Sequence, residues 1–218
     1  MSKFELVIFD CDGVLVDSEL LTNTVLRDML VELGADLTLE DMFEKFVGHP
    51  WGYCLALAEK LLGRAPPQDF ATRYRERSVE LLHEHLLPVP GIQLALSRIH
   101  LPMCVASSGD HDKMRTTLGL TRLLEHFEGR LFSVTQVAHA KPAPDVFLFA
   151  AAEMGASPEH VAVIEDTPVG VTAARSAGMS VFGYAGRTPR HRLMSAGATA
   201  VFDDMSLLPA LLDAHSEE

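Results

Sequence analysis

Two acidic side chains lie close together at a point where the chain is expected to turn. Asp10 and Asp12 follow the short apolar run from Phe4 to Phe9 and precede Gly13. Because they are two residues apart on an extended segment, both carboxyls can reach one reacting centre. One carboxylate can act as a nucleophile that divides a hydrolysis into two steps, while the other transfers the proton. We therefore expect Asp10 to be the nucleophile and Asp12 the general acid/base, although the pair alone could also be an acidic turn.

Polar side chains also follow three later strands of the predicted sheet. They are Ser107 and Ser108 after the second strand, Lys141 a few residues after the third, and Glu165 with Asp166 after the fourth. The carboxyl ends of parallel strands lie at one edge of a sheet, and ligands bind outside that edge. Acidic pairs after a strand are common as helix caps, but four strand ends that bring carboxylates, hydroxyls and an ammonium together indicate a functional site.

These residue types suit the transfer of a phosphoryl group. A hard cation such as Mg²⁺ prefers oxygen ligands. The candidate ligands are the carboxylates of Asp10, Glu165 and Asp166 and the backbone carbonyl of Asp12. The transferring phosphoryl group carries negative charge on three oxygens. Its expected partners are Mg²⁺, the Ser107 hydroxyl, the backbone N–H groups near Ser108 and the Lys141 ammonium.

The elements that must position these residues alternate between strand and helix. Short apolar runs that predict buried strands lie at residues 4–9, 103–107, 131–134, 161–164, 181–184 and 200–202, with helical patterns between the later ones. Continuously apolar strands that alternate with helices are typical of a doubly wound parallel sheet with both faces covered. The sequence therefore predicts an α/β fold.

Residues 18–87 interrupt this alternation. They show no convincing strand, only apolar residues at helical spacing, in stripes that end near Gly34, Gly63 and Pro88. An all-helical insert of about 70 residues is within the size range of a small domain. We therefore divide the chain into a helical domain at residues 17–87 and an α/β core at residues 1–16 and 88–218.

Four segments resemble, in order and with normal spacing, the four motifs of the haloacid dehalogenase-like hydrolase superfamily in its phosphatase branch. They are Phe9–Glu19, Val105–Ser108, Lys141–Asp145 and Ile164–Gly170. The resemblance covers the whole chain and implies a Rossmann-like core with a helical cap domain inserted between the first two motifs. It also implies Mg²⁺-dependent hydrolysis of a small phosphomonoester such as a sugar phosphate. Asp12 fits the phosphatases, because the resemblance suggests that haloacid dehalogenases lack this second acid.

Within the superfamily the chain is similar to 6-phosphogluconate phosphatase-type proteins and to β-phosphoglucomutases. The mutases carry a His after the first motif, where this chain reads Leu20-Leu21-Thr22. They also carry an Arg after a cap glycine, where it reads Gly48-His49-Pro50-Trp51. Both departures favour a hydrolase over a phosphosugar mutase. A third hypothesis, a non-enzymatic module that binds a phosphorylated metabolite, is disfavoured because the residues that would do the chemistry are all present.

Substrate choice is expected to lie in the cap, since a lid that closes over the site also delivers the substrate. The candidate specificity residues are Glu19 at the hinge, His49 and Trp51 in the cap, and Asp110 on the core side. Trp51 could instead belong to the apolar core of the cap, and His49 could be a turn residue.

The composition limits the partners. The net charge of −12 argues against a nucleic-acid partner, and the longest apolar runs are far shorter than the roughly 18 residues of a membrane span. Three cysteines without paired spacing indicate reduced thiols in a cytoplasmic protein, and we expect Cys11 to be a packed core thiol. The expected partner is a small phosphorylated metabolite, and the expected state is a monomer or a weak homodimer.

Overall fold

The computed structural model describes residues 3–47, 49 and 51–215. Its strands are β1 (Leu6–Phe9), β2 (Met103–Ser107), β3 (Leu131–Ser133), β4 (Val161–Glu165), β5 (Ser180–Tyr184) and β6 (Ala200–Phe202). They form one parallel sheet in the order β3-β2-β1-β4-β5-β6. The strand order reverses beside β1, so a crevice opens at the carboxyl ends of β1 and its neighbours. The predicted α/β fold with a doubly wound parallel sheet is confirmed.

The helices fall into an inserted group and a group that alternates with the strands. The inserted group, between β1 and β2, contains α1 (Glu19–Glu32), α2 (Leu39–Lys45), α3 (Trp51–Leu62), α4 (Phe70–His85) and α5 (Ile92–Arg98). The second group contains α6 (His111–Leu120), α7 (Asp145–Glu153), α8 (Pro168–Ser176), α9 (Arg190–Ser195) and α10 (Leu208–Ala214). None of the helices in the described ranges combines the length and the hydropathy needed to cross a membrane.

The side chains of β1 alternate between two apolar layers. Val7 and Phe9 belong to a cluster with α5, α6 and α10, while Leu6 and Ile8 belong to a cluster with α7 and α8. All four side chains are at most 1% exposed. Burial on both faces requires an unbroken apolar strand, and it fixes the point where β1 ends and the polar residues begin. Cys11 is also buried in the first of these layers, as expected.

The helices α1 to α4 pack around an apolar cluster of their own, which includes Met29, Leu30, Met42, Ala58 and Phe70. Helix α5 instead contributes Ile92, Ala95 and Leu96 to a layer that covers the sheet. The helical insert predicted at residues 17–87 is confirmed in α1 to α4, whereas α5, which follows that range, packs on the sheet.

The chain enters and leaves the helical insert along two adjacent segments. The Asp17 N–H donates a hydrogen bond to the Leu87 carbonyl, and the Val89 N–H donates one to the Leu15 carbonyl, both at 3.0 Å. These contacts keep the two connections side by side where the cap joins the core. The division into domains at residues 16/17 and 87/88 stays a prediction.

The sequence did not predict the two short helices α2 and α9. Helix α2 begins at a capping box, in which Asp41 N donates to Thr38 Oγ1 at 3.1 Å and Thr38 N donates to Asp41 Oδ2 at 2.9 Å. Met42 is the buried residue of α2 and Leu193 that of α9. Neither helix therefore shows the apolar stripe by which the longer helices are recognised.

The packing of α7 below the strand ends gives a test of the fold. Phe147 is fully buried, whereas its neighbour Leu148 is 39% exposed. We expect Phe147→Ala to lower the free energy of unfolding by about 3–5 kcal/mol, because it removes buried apolar surface and leaves a cavity. The matched control Leu148→Ala should change it by less than about 1 kcal/mol. Urea denaturation measures both values, and equal losses would contradict the described packing.

Candidate active site

The Lys141 side chain joins the ends of the three central strands. Its ammonium donates hydrogen bonds to Asp10 Oδ1 at 2.6 Å, to Glu165 Oε1 at 2.7 Å and to the Ala106 carbonyl at 3.2 Å. It also lies 4.6 Å from the centre of the Phe147 ring. The side chain is only 3% exposed, so the ammonium is held between two carboxylates out of contact with bulk water.

Asp10 continues the pairing of β1 with β4, because its N–H donates to the Ile164 carbonyl at 2.9 Å. Burial raises the pKa of Asp10 to about 7; the Lys141 charge acts to lower it, and the Glu165 charge adds to the rise. A carboxylate nucleophile must be ionised. The nucleophilic form of Asp10 therefore depends on positive charge beside it.

Glu165 connects this network to the start of α8. Its Oε2 accepts hydrogen bonds from the N–H and the hydroxyl of Thr167, both at 3.0 Å, and Thr167 Oγ1 accepts one from Gly170 N at 3.1 Å. A Cβ at Gly170 would overlap the Glu165 carboxylate. Lys141 and Thr167 together take three of the roughly four acceptor sites of the Glu165 carboxylate, which leaves little room for a cation to bind it directly.

Asp166 has a buried carboxylate oxygen, Oδ1, that lacks a hydrogen-bond partner within the described residues. The residue is 2% exposed. Burial, followed by the charges of Glu19 and Glu165, raises the pKa of Asp166 well above its usual range. A buried polar oxygen without a partner is costly, and a cation beside it would remove that cost. This observation shows that the donor set fits a hard metal ion.

The balance of charges in the site also favours a bound cation. Within the described part of the chain, five carboxyl groups share this region with two ammonium groups: Asp10, Asp12, Glu19, Glu165 and Asp166 against Lys113 and Lys141. No group of three or more His, Cys, Asp or Glu side chains among these residues converges to hold a metal unaided. Mg²⁺ needs only one or two carboxylates, since it keeps several waters.

The carboxylate of Asp12 is held from both sides. Ser18 Oγ donates to its Oδ1, and Lys113 Nζ donates to its Oδ2 at 2.7 Å. Burial alone would raise the pKa of Asp12, but the charge and hydrogen bond of Lys113, with the Ser18 bond, lower it. Asp12 is therefore a carboxylate in this state, which is the form that can remove a proton from water.

The loop after β2 brings hydroxyl and amide groups to the same edge. Ser107 is buried, and its Oγ accepts a hydrogen bond from Gly109 N at 3.0 Å. Asp110 caps α6, because its Oδ1 accepts from Lys113 N at 2.8 Å. Capping orients the helix that carries Lys113, so Asp110 has a structural function besides its predicted contact with substrate.

A cavity of about 480 Å³ lies where the cap helices face the carboxyl edge of the sheet. Its wall contains every predicted site residue except Asp166: Asp10, Asp12, Glu19, His49, Trp51, Ser107, Ser108, Asp110, Lys141 and Glu165. Asp166 lies against Gly13 instead. The volume is in the range of cavities that bind small molecules.

The cap supplies one carboxyl and two aromatic stacks to this cavity. Burial, then the charges of Asp12 and Asp10, raises the pKa of Glu19 to about 8. The His49 ring stacks on Tyr53 with ring centres 4.0 Å apart, and Trp51 stacks on Tyr74 at 4.7 Å. Trp51 also packs against the apolar cluster of the cap, so its two predicted positions, cap core and cavity wall, are compatible.

Comparison with known proteins identifies the family. Residues 4–178 match the haloacid dehalogenase-like hydrolases. The chain belongs to this family. The resemblance seen in the four sequence motifs is thereby confirmed, and the described site lies in a hydrolase.

Relatives of this hydrolase match it over nearly its whole length. The 6-phosphogluconate phosphatase of Escherichia coli (strain K12) is 32% identical over 212 residues, which cover 97% of this chain and 96% of that protein. The phosphorylated carbohydrates phosphatase of Thermotoga maritima is 30% identical over 213 residues, 95% and 98% of the two chains. A solved haloacid dehalogenase-like protein of unknown function from Agrobacterium tumefaciens str. C58 is 35% identical and superposes with a TM-score of 0.86, over 97% and 99%.

Sequence reasoning did not assign Lys113 of the hydrolase to the site, nor did it find Thr22, Tyr74 and Arg75 in the cavity wall. Lys113 lies in the first turn of α6, and its stem passes close to Gly109, where an added Cβ would be 3.2 Å from Lys113 Cδ. The sequence signal that could have indicated Lys113 was Asp110, three positions earlier. As a helix-capping residue it fixes the direction of the turn that carries Lys113.

Gly13 provides a test of how closely the loop after β1 must approach Asp166. Its φ is +78°, and a Cβ there would collide with the Asp166 carboxylate. We expect Gly13→Ala to lower kcat/KM for hydrolysis by at least about 100-fold, because small displacements of reacting groups are costly.

The matched control is Gly34→Ala in the cap. Gly34 has φ +103° and no atom within 4 Å of an added Cβ, so the alanine variant would have backbone strain of about 1–2 kcal/mol without a collision. The melting temperature of the Gly34→Ala variant should fall, while its kcat/KM stays near that of the wild type. Similar losses of activity in both variants would show that strain, not the contact with Asp166, is responsible.

Proposed function

We propose that this hydrolase is a Mg²⁺-dependent phosphatase that hydrolyses a small sugar phosphate through an aspartyl-phosphate on Asp10. The observation that carries the proposal is the pair of buried hydrogen bonds from Lys141 to Asp10 and Glu165, beside an Asp12 carboxylate held by its own donors. The substrate class is supported by the relatives named for 6-phosphogluconate and for phosphorylated carbohydrates.

In the first step, a carboxylate oxygen of Asp10 attacks the phosphorus. The Asp10 oxygen–phosphorus bond forms as the bond from phosphorus to the sugar oxygen breaks. Asp12, which must first take up a proton from solvent, gives that proton to the departing alkoxide. The Ser107 hydroxyl would donate to a phosphoryl oxygen. The nearby Lys141 ammonium, whose protons are taken by Asp10, Glu165 and the Ala106 carbonyl, would offset part of the negative charge through its own charge during transfer.

In the second step, Asp12 is a carboxylate and removes a proton from water. The water oxygen bonds to phosphorus, and the bond from phosphorus to Asp10 breaks, which releases phosphate and restores the Asp10 carboxylate. The hydrogen bonds from Ser18 and Lys113 hold Asp12 in the orientation that serves both steps.

The carboxylates of Asp10 and Asp166 and the backbone carbonyl of Asp12 would hold the Mg²⁺. When bound, the ion would neutralise negative charge on these carboxylates and on the phosphoryl oxygens. Glu165 is proposed to act on it through water, since both of its oxygens accept hydrogen bonds from the protein.

The hinge of the cap favours hydrolysis over a mutase reaction. In the stretch where the resembling mutases carry a His, this chain reads Leu20-Leu21-Thr22. The Thr22 hydroxyl donates to the Ser18 carbonyl at 3.1 Å, and Thr22 lines the cavity. Gly48 and Pro50, in the second segment that differs from the mutases, lie outside the described residues. A cytoplasmic location and a monomer or weak homodimer stay predictions from the composition.

The nucleophile assignment is tested with Asp10→Asn on a panel of sugar phosphates in Mg²⁺, with phosphate release as the measurement. We expect kcat to fall at least about 1,000-fold, because an amide cannot form the covalent intermediate. Asp213→Asn, the same change on the exposed face of α10, is the control and should keep wild-type activity.

Equal activity of Asp10→Asn and the wild type would contradict the assignment of Asp10 as the nucleophile. The same panel includes glucose 1-phosphate with a sugar bisphosphate. Conversion to an isomeric phosphate, with little free phosphate, would replace the phosphatase by the mutase alternative.

Binding of Mg²⁺ is tested by thermal unfolding of protein treated with EDTA. At pH 8 and a Mg²⁺ concentration 100 times its Kd, linkage predicts a stabilisation of about 2.7 kcal/mol, or roughly 5–10 °C in melting temperature for a chain of this size. Asp166→Asn should lose most of this shift, and Asp213→Asn should retain it.

The shift should also shrink at pH 5.5. Burial raises the pKa of Asp10 to about 7, so below that pH the carboxyl holds a proton that the cation must displace. An equal shift at both pH values, or an undiminished shift in Asp166→Asn, would contradict the proposed ligands.

A further inference from the structure

Helix α4 carries three arginines at alternate positions, and their surroundings differ. Arg77 Nη1 lies 2.7 Å from Glu32 Oε1, and Arg73 Nη2 lies 3.8 Å from Glu32 Oε2. Residues two apart on a helix point to different sides. Arg75 accordingly does not share Glu32 and instead contributes to the wall of the active-site cavity.

Arg75 differs from the other cations of that cavity in having no acidic partner. Lys141 is paired with Asp10 and Glu165, and Lys113 is paired with Asp12. In the ranges that the structure describes, no carboxylate forms an ion pair with Arg75, and the side chain is exposed. Its guanidinium is therefore available to an anion that enters the cavity.

The neighbouring residue shows that this part of α4 lies near the reacting groups. Tyr74 and Ser78 line the same cavity, and Tyr74 stacks on Trp51. Burial is the main cause of the raised pKa of Tyr74, and the charges of Lys113 and Asp12 also act on it. The cap face that carries Arg75 thus lines the same cavity as Asp12.

We propose that Arg75 is a specificity-determining residue that binds a second anionic group of the substrate, a carboxylate or a second phosphate, away from the phosphoester. The proposal rests on the phosphatase function proposed above. A planar guanidinium forms paired hydrogen bonds with either anion. Elsewhere in the cavity a second anionic group would meet an excess of carboxylates. Its interaction with the protein is therefore most favourable beside Arg75.

The test compares two pairs of substrates that differ by one anionic group. They are glucitol 6-phosphate with 6-phosphogluconate, and fructose 6-phosphate with fructose 1,6-bisphosphate. We expect the wild type to prefer the doubly anionic member of at least one pair by about 10-fold or more in kcat/KM. The pair that shows the preference identifies the anion as a carboxylate or a phosphate.

In Arg75→Gln this ratio should fall at least about 10-fold, mainly through KM, and Arg75→Lys should give an intermediate ratio because it keeps the charge without the paired hydrogen bonds. Arg73→Gln and Arg77→Gln are the matched controls on the same helix, and both should keep the wild-type ratio.

A wild-type ratio near one in both pairs, or a ratio that Arg75→Gln leaves unchanged, would overturn the inference while the phosphatase proposal stands. Equal losses in Arg75→Gln and Arg77→Gln would overturn it as well, since they would indicate a general effect of charge on α4. Hydrolysis of other sugar phosphates of the panel but of none of these four would overturn the inference alone, and absence of hydrolysis of the whole panel would overturn the proposed function as well.

Discussion

The buried ammonium of Lys141 is the group on which the rest of the site depends. It bonds Asp10 and Glu165 and so links residues 131 and 24 positions away in the chain. A charge removed from water is stable only while its partners remain in place, and loss of one partner leaves an uncompensated buried charge. The apolar layers on both faces of the sheet therefore matter for the chemistry, because they hold three strand ends in register around one cation.

The same burial creates a deficit of positive charge. Lys141 forms ion pairs with Asp10 and Glu165, and Lys113 forms one with Asp12. Asp166 keeps a buried oxygen without a hydrogen-bond partner in the described residues. The raised pKa values of Asp10, Glu19 and Asp166 have a common first cause, which is desolvation. A hard cation at this position would restore the balance, so the proposed metal site and the close packing of the strand ends have one physical origin.

Much of the core could be predicted from the sequence, because buried parallel strands are unbroken apolar runs and ligands meet their carboxyl ends. Asp10, Ser107 and Glu165 follow directly from that rule. Lys113 did not, because its reach to Asp12 depends on the direction of α6 and on the space at Gly109, and neither is a local property of the sequence. Helices α2 and α9 were not predicted, because each buries too few apolar side chains to show the helical spacing of apolar residues.

The cap was predicted as helical, with Glu19, His49 and Trp51 as candidate specificity residues, but Arg75 was not among them. Arg73, Arg75 and Arg77 alternate with polar residues and resemble the solvated face of any surface helix. Only the position of Glu32 on α1 shows that two of them are paired and one is left for the cavity. Because α1 to α4 pack on their own apolar cluster, substitutions on the cavity face of α4 can change which substrate is accepted without disturbing the Lys141 network. Under the proposed function, the fold separates the reaction, which the sheet residues carry out, from the choice of substrate, which depends on the cap.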